Sequence, residues 1–230
     1  MHSIHFSAIA EILSASLLEP GTDPLIENLL TDSRTLLFPE TTAFFAISSA
    51  QRNANEFIPQ LYENGVRAFI IDESFPTEDI DKFPDAGFIL VQNTVLALQN
   101  LARHYRHTFN YPVIGITGSN GKTIVKEWLY QLMHAEYNIV RSPKSYNSQI
   151  GVPVSVWQMN DTHTLGIFEA GISKPGEMEQ IAPVIAANIG IVTFIGEAHA
   201  KGFADSRQKI NEKLLLFQQS EQLIYCKDDD

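Results

Sequence analysis

The residues most able to do chemistry form a short glycine-rich segment between an apolar run and a helical pattern. In order they are Thr117, Gly118, Ser119, Asn120, Gly121, Lys122 and Thr123. Glycines let a backbone wrap closely around a polyphosphate and point successive N–H groups at it. A helix that begins near Lys122 adds the positive end of its dipole. The segment therefore predicts an ATP site in which Lys122 contacts the phosphates and the Thr123 hydroxyl binds Mg²⁺.

This segment departs from the common phosphate-binding pattern G-x-x-x-x-G-K-[ST]. The residue five before Gly121 is Ile116, and the nearest glycines are Gly115 and Gly118. We interpret the segment as a variant phosphate loop because it joins a strand to a helix, where such loops occur. The alternative is a glycine-rich turn with an incidental lysine.

Two polar side chains in the later half follow apolar runs that are predicted to be buried strands. Glu169 comes directly after the run 165–168, and His199 comes shortly after the run 189–194. Open parallel sheets bind ligands outside the carboxyl ends of their strands. A carboxylate facing Thr123 would supply an oxygen ligand for Mg²⁺, and an imidazole also binds metals. The alternatives are a solvated glutamate and a structural histidine.

Lys213 falls on a predicted helix over residues 206–219. The apolar positions Ile210, Leu214 and Phe217 follow helical spacing, so we expect them to form the buried stripe with Lys213 beside it. Burial lowers the pKa of a lysine and favours the neutral amine. The alternative is an ordinary surface lysine.

Apolar runs alternate with helical patterns along the whole chain, which predicts an α/β fold. Strands are expected at 43–47, 68–71, 88–91, 113–116, 138–140, 165–168, 189–194 and 222–226. Helices are expected at 6–13, 57–65, 94–107, 122–134 and 206–219. The helical pattern stops before Pro112, which places a domain boundary there. We predict a small N-terminal α/β domain over 1–110 and a P-loop-type, mostly parallel sheet over 111–230, incomplete at its C-terminus.

The composition disfavours several classes of protein. Hydrophobic residues make up 44% and charged residues 19%, which fits a globular chain with a core. A net charge of −11 disfavours nucleic acid and anionic membranes as partners. Cys226 is the only cysteine, and we expect it to be buried in the last strand. We recognise no signal peptide and no apolar run long enough to span a membrane, so we expect a cytoplasmic protein without membrane insertion.

Several separate motifs resemble those of the Mur ligases. The glycine-rich segment resembles the T-G-[ST]-N-G-K-T loop of that family, residues 32–34 its D-S-R turn and residues 169–171 its E-x-G. Residues 146–153 resemble its N-x-N-N-x-I-G-x-P segment, with serine at 145 and 148 where asparagine is common. The resemblance spans nearly all of the chain and is nearest to the MurF-type branch, which adds D-Ala-D-Ala to UDP-N-acetylmuramoyl-tripeptide.

This resemblance implies roles for individual residues. Ser33 and Arg34 would hold the uridine-nucleotide substrate; the alternative is an Asx-type turn with a surface arginine. Asn147 and Ser148 would approach the acceptor; the alternative is a plain turn-and-cap role. The implied metal ligands are Thr123, Glu169, His199 and a carbamylated Lys213, and the implied catalytic residues are Lys122, His199 and Lys213. Phe194 stands where relatives commonly have asparagine, five positions before the histidine.

Members of that family use ATP to convert a carboxylate into an acyl phosphate, which an amine then attacks. The resemblance thus implies an ATP- and Mg²⁺-dependent ligase of peptidoglycan precursor synthesis, with UDP-N-acetylmuramoyl-tripeptide and D-Ala-D-Ala as substrates. The family's C-terminal domain is not visible in the sequence, so we expect little ligase activity from this chain alone. Some relatives are fused to alanine racemase, and the sequence leaves that possibility open.

Other interpretations remain. A folylpolyglutamate synthetase-like ligase would share the nucleotide core, but the D-S-R turn and the separate N-terminal domain argue against it. A non-catalytic nucleotide-binding module is a second alternative, and the presence of Glu169, His199 and Lys213 together with the loop argues against it. A dinucleotide-binding domain is disfavoured because G-x-G-x-x-G is absent and Gly-Lys-Thr is present.

Overall fold

A computed structural model of the protein describes residues 3–18, 21–49, 52–196 and 202–227. The chain divides into two compact units, Met1–Leu101 and Ala102–Asp230. In the described part of the chain each unit contains a five-stranded sheet with helices between its strands. This arrangement confirms the predicted α/β fold class. The assignment of a substrate domain to 1–110 and an ATP domain to 111–230 stays a prediction.

The first unit combines a short antiparallel ribbon with a mixed sheet. Its strands and helices are β1 (Ile4–His5), α1 (Phe6–Leu13), β2 (Ser16–Leu18), β3 (Leu25–Ile26), β4 (Asn28–Leu30), β5 (Thr42–Phe45), α2 (Ile58–Glu63), β6 (Ala68–Ile71), β7 (Gly87–Leu90) and α3 (Thr94–Arg106). Helix α3 continues past residue 101, where this unit ends. The sheet has the order β2-β7-β6-β5-β4, with β2 antiparallel to β7 and the other neighbours parallel. The ribbon pairs β1 with β3.

Aromatic rings fill the core on one side of this sheet. Phe88 of β7 lies 5.2 Å from Phe69 of β6, 5.6 Å from Phe75 and 5.8 Å from Phe83, measured between ring centroids. Each of these rings is buried. Burial of one such side chain stabilises the fold by about 1.5–3 kcal/mol. The short apolar runs of the sequence form strands here because both faces of the sheet are removed from water.

The second unit is an all-parallel sheet. Its strands and helices are β8 (Val113–Thr117), α4 (Lys122–Met133), β9 (Ile139–Arg141), α5 (Gly151–Val156), β10 (Leu165–Glu169), α6 (Glu177–Ile185), β11 (Ile189–Val192), α7 (Ser206–Leu214) and β12 (Gln222–Ile224). The order is β12-β11-β8-β10-β9. Strand β8 therefore lies between β10 and β11, and the segments that follow these three strands meet at one edge of the sheet.

Several elements differ from those expected. Helices α5 and α6 were not predicted, although the buried positions Met178, Ile181 and Ile185 of α6 follow helical spacing. Pro183 lies in the last turn of α6 and obscures that pattern. The prediction that Cys226 is buried in the last strand is wrong: β12 ends at residue 224 on the sheet edge, and the cysteine is exposed.

The end of α3 carries a buried arginine whose contacts lie within the second unit. Arg106 donates to the carbonyls of Ile185 at 2.9 Å, Phe109 at 2.9 Å and Ala186 at 3.1 Å. We expect Arg106→Met to lower the free energy of unfolding by about 3–5 kcal/mol, because three carbonyl acceptors, two buried and one partly buried, lose a charged donor. Urea denaturation measures this. Arg103→Met, exposed on the same helix, should change stability by less than about 0.5 kcal/mol; equal effects would contradict the prediction.

Candidate functional site

The predicted phosphate loop joins the end of β8 to the start of α4. Gly118 has a φ of +151° and Gly121 a φ of +85°, conformations that residues with side chains rarely adopt. A Cβ atom at Gly118 would lie 1.9 Å from Thr193 Oγ1, so a larger residue does not fit. Helix α4 begins at Lys122, and the amides of its first turn have no acceptor within the helix. They are suited to bind an anion.

The segment after β11, residues 193–196, holds the loop in place through hydrogen bonds. The amides of Ser119 and Asn120 donate to the carbonyl of Phe194 at 2.8 and 3.4 Å. Thr193 Oγ1 donates to the Asn120 carbonyl at 2.6 Å, and the Ser119 hydroxyl donates to the Gly196 carbonyl at 3.0 Å. The prediction that successive loop amides point at a phosphate is wrong for Ser119 and Asn120, because a main-chain carbonyl takes both donors. Sequence reasoning missed Thr193.

The other side of the loop is held by β10. Thr117 Oγ1 donates to the Ala170 carbonyl at 2.9 Å and is fully buried. Thr123 Oγ1 donates to Glu169 Oε2 at 3.0 Å, and Asn147 Nδ2 lies 3.4 Å from the same oxygen. The structure thus brings together Thr123, Glu169 and Asn147, which the sequence singled out separately.

Glu169 is a buried carboxylate with two unlike oxygens. Its Oε1 lies 2.9 Å from Lys126 Nζ, an ion-pair contact, yet this atom accepts no directed hydrogen bond in the described structure. Oxygen with free lone pairs is the ligand that Mg²⁺ prefers, and Mg²⁺ is usually held by one or two carboxylates together with substrate phosphates. Within the described residues no group of three His, Cys, Asp or Glu side chains could hold a metal by itself. A magnesium ion shared with a nucleotide fits this chemistry.

Three lysine ammonium groups converge on the loop. Lys122 Nζ and Lys213 Nζ donate to the Gly118 carbonyl at 2.9 and 3.2 Å. Lys209 Nζ contacts the Gly196 carbonyl, and Lys209 is as buried as Lys213. Burial and then the neighbouring ammonium groups lower the pKa of Lys213 to about 8, and burial also lowers the pKa of Lys122. The chain is acidic overall, but three lysine side chains place positive charge at this edge of the sheet.

The buried stripe predicted for the last helix is wrong at two of its three positions. Ile210 is 38% and Leu214 37% exposed, whereas Lys209 and Lys213 are only 3% and 2% exposed; Phe217 is buried as expected. The helix turns its lysines inward because the Gly196 carbonyl, after β11, and the Gly118 carbonyl, in the loop, accept their hydrogen bonds there. Sequence reasoning missed Lys209, although its position four residues before Lys213 puts both on one helical face.

Two other predicted residues do not add to this arrangement. His199 lies in residues 197–201, outside the described part of the chain, and its metal role stays a prediction. Ser148 Oγ accepts the amide of Gly151 at 3.1 Å at the start of α5, which fits the turn-and-cap alternative.

The Asp-Ser-Arg motif lies in the first unit, in a short 3₁₀ turn over Ser33–Thr35. Arg34 donates from Nε at 2.9 Å and from Nη2 at 2.6 Å to the carboxylate of Asp32. This hydrogen bonding, opposed by partial burial, lowers the pKa of Asp32 to about 2. Arg52 Nη2 lies 3.9 Å from the same carboxylate. The turn matches the Asx-type alternative, and the Arg34 side chain is 79% exposed, which leaves it accessible to a ligand.

The Mur ligase middle domain matches residues 116–230, half of the chain and the part that contains the loop, Glu169 and the lysines. The chain belongs to the Mur ligase family. It is 30% identical to the UDP-N-acetylmuramoyl-tripeptide--D-alanyl-D-alanine ligase of Bacillus subtilis over 208 residues. This match covers 90% of this chain and 44% of the relative. The protein of the same name from Treponema pallidum is 34% identical over 183 residues, 76% of this chain and 39% of the relative. This Mur ligase chain thus spans about two-fifths of the length of these relatives.

Solved Mur ligase structures share the fold. Acinetobacter baumannii MurF superposes with a TM-score of 0.87 at 23% identity, over 100% of this chain and 50% of that one. Thermotoga maritima MurF, solved in complex with ADP, gives a TM-score of 0.74 at 23% identity, over 88% of this chain and 46% of that one. Among the residues described here, no helix is both long and apolar enough to cross a membrane.

The shifted pKa of Lys213 predicts a pH dependence of stability. The folded pKa of about 8 is below the ordinary value of 10.5, so between these values the unfolded chain binds more protons. The native state should therefore gain stability relative to a Lys213→Met variant as pH rises from 8 to 10. Thermal denaturation in CO₂-depleted buffer without nucleotide measures the difference. A difference that stays constant over this pH range would contradict the prediction.

Proposed function

We propose that this chain binds MgATP at the loop 117–123 and provides the nucleotide and acceptor sites of a ligase that joins D-Ala-D-Ala to UDP-N-acetylmuramoyl-tripeptide. One observation carries the proposal: a glycine-dependent phosphate loop, a buried carboxylate and buried lysines share one edge of a parallel sheet. The substrates come from the printed names of the Bacillus subtilis and Treponema pallidum relatives. The bound ADP of the Thermotoga maritima relative supports a nucleotide as the ligand.

In this proposal Lys122 and the first-turn amides of α4 bind the nucleotide phosphates. The loop that positions Lys122 and these amides is formed by Thr117, Gly118, Ser119, Asn120 and Gly121. Thr123 and Glu169 would hold Mg²⁺, which, when bound, withdraws charge from the phosphate oxygens during phosphoryl transfer. The ammonium group of Lys209 adds positive charge where the carboxylate of the acceptor would attack the terminal phosphate of ATP, which forms the acyl phosphate and releases ADP.

The proposed role of Lys213 is that of a carbamate. Its buried, lowered-pKa amine would add to CO₂ with loss of one proton, which yields an anionic oxygen ligand in place of an ammonium group. The carbamate and His199 would then support a second Mg²⁺ near the acyl phosphate. Mass spectrometry of intact protein under native conditions, with and without bicarbonate, would detect the adduct, and Lys213→Met should abolish it.

The substrate contacts are proposed separately for each unit. In the first unit the exposed guanidinium of Arg34, with Ser33 beside it, offers donors to the uridine nucleotide. In the second unit Asn147, next to Glu169, and Ser148 at the start of α5 would approach the acceptor end of the muramyl peptide.

Calorimetric binding experiments on this chain test the proposal. We expect ADP to bind more tightly in the presence of Mg²⁺ than in the presence of EDTA. We also expect UDP-N-acetylmuramoyl-tripeptide to bind and a folate not to bind. Absence of any nucleotide binding would overturn the proposal, and preference for a folate would replace the substrate class. ADP release from ATP with the muramyl tripeptide, with and without D-Ala-D-Ala, then tests the reaction itself.

A further inference from the structure

Lys126 is a fully buried lysine that sequence analysis did not single out. It lies on α4, one turn after Lys122, and its exposed fraction is 0%. Removal of an ammonium group from water costs several kcal/mol unless it is well paired. The contacts of the Lys126 ammonium group must therefore compensate for its lost hydration.

The contacts of Lys126 fix its ammonium group in one place. Nζ donates to the Ser142 carbonyl at 2.7 Å and also to the Lys144 carbonyl. It lies 2.9 Å from Glu169 Oε1 and 3.2 Å from Glu127 Oε1. Two main-chain acceptors and two carboxylates surround the group, so it has no room to change partners.

We propose that Lys126 is a positioning residue that holds the Glu169 carboxylate in the orientation needed to bind the metal of a bound nucleotide. Thr123 and Asn147 approach Oε2, and Lys126 approaches Oε1 from outside the direction of a hydrogen bond. A carboxylate oxygen can accept two partners, so this contact balances charge and leaves a lone pair of Oε1 free. The inference rests on the proposed function, because it needs Glu169 to be a Mg²⁺ ligand.

A purely structural role makes a different prediction. Through the carbonyls of Ser142 and Lys144, Lys126 also links α4 to the segment after β9. A linking role alone would cost stability when lost but would leave the effect of Mg²⁺ on nucleotide affinity unchanged. Partners that orient a metal ligand typically change metal affinity about 10- to 100-fold when removed.

The experiment measures the affinity of the whole chain for ADP with Mg²⁺ and with EDTA, by calorimetry. The Mg²⁺ gain is the factor by which Mg²⁺ raises the affinity for ADP above its value in EDTA. In Lys126→Met we expect this gain to fall at least about 10-fold, while the affinity in EDTA stays close to that of the unmodified chain. Glu127→Gln is the matched control, since it removes the other carboxylate beside Nζ and should keep the gain. A folded Lys126→Met variant with an undiminished gain would overturn the positioning role.

A second variant covers the case in which Lys126→Met does not fold. Lys126→Met combined with Glu127→Gln removes one cation and one anion, so the local charge stays balanced, and the same loss of gain is expected. Glu169→Gln separates this inference from the proposed site. If Mg²⁺ gives the unmodified chain no gain, or Glu169→Gln keeps it, the metal site itself is overturned and the inference with it.

Discussion

Lys122→Ala is expected to weaken ATP binding about 100-fold, or ~3 kcal/mol, because the phosphates lose their charged partner at a half-buried site. Lys122 is the first residue of α4, and its ammonium group already lies over the loop, 2.9 Å from the Gly118 carbonyl. Calorimetry with a non-hydrolysable ATP analogue and Mg²⁺ measures the loss. Turnover of ATP, where it is assayed, should be abolished.

The control for this change is Lys174→Ala. Lys174 is exposed and lies outside the loop, so it tests whether the loss of any one positive charge lowers affinity through long-range attraction. We expect a change below about twofold at physiological ionic strength. An unchanged affinity in Lys122→Ala would remove this lysine from the phosphate site and favour the interpretation of a glycine-rich turn with an incidental lysine.

Gly118→Ala is expected to abolish nucleotide binding and to lower the free energy of unfolding by about 3 kcal/mol. Two causes add. The φ of +151° strains any residue with a side chain, and the new Cβ would lie 1.9 Å from Thr193 Oγ1 and 3.1 Å from the Thr193 carbonyl carbon. Rotation of the Thr193 side chain away from the new Cβ would break its hydrogen bond to the Asn120 carbonyl, so the contact between the loop and the segment after β11 is lost in either case. Calorimetry and urea denaturation measure the two effects.

Gly176→Ala separates strain from the clash. Gly176 also has a positive φ, +82°, but a Cβ there would meet no atom within 4 Å. We expect it to cost about 1 kcal/mol of stability and to leave nucleotide binding intact. If Gly118→Ala behaved in the same way, close contact between Thr193 and the loop would not be what fixes its shape.

Much of the fold could be predicted because it depends on local patterns. The apolar runs that became β6, β8 and β10, and the helical spacing of α1, α3 and α4, were recognisable without any knowledge of neighbours. The two short helices α5 and α6 were not, since α6 contains Pro183 and α5 begins at a glycine. In both, burial of one face outweighs poor local propensity.

The sequence by itself indicated the glycine-rich loop of this Mur ligase chain and predicted phosphate as its ligand, because glycine positions, a lysine and a threonine at fixed spacing are local properties of a strand-to-helix turn. It also indicated Glu169, since the carboxyl end of a buried strand is visible in the sequence. Only the tertiary structure decided what these groups contact. Lys126 meets Glu169 and the Ser142 carbonyl, and Thr193 meets the loop, because β8 lies between β10 and β11 in the sheet. Partners that distant along the chain are set by strand order, which spacing within one segment does not reveal.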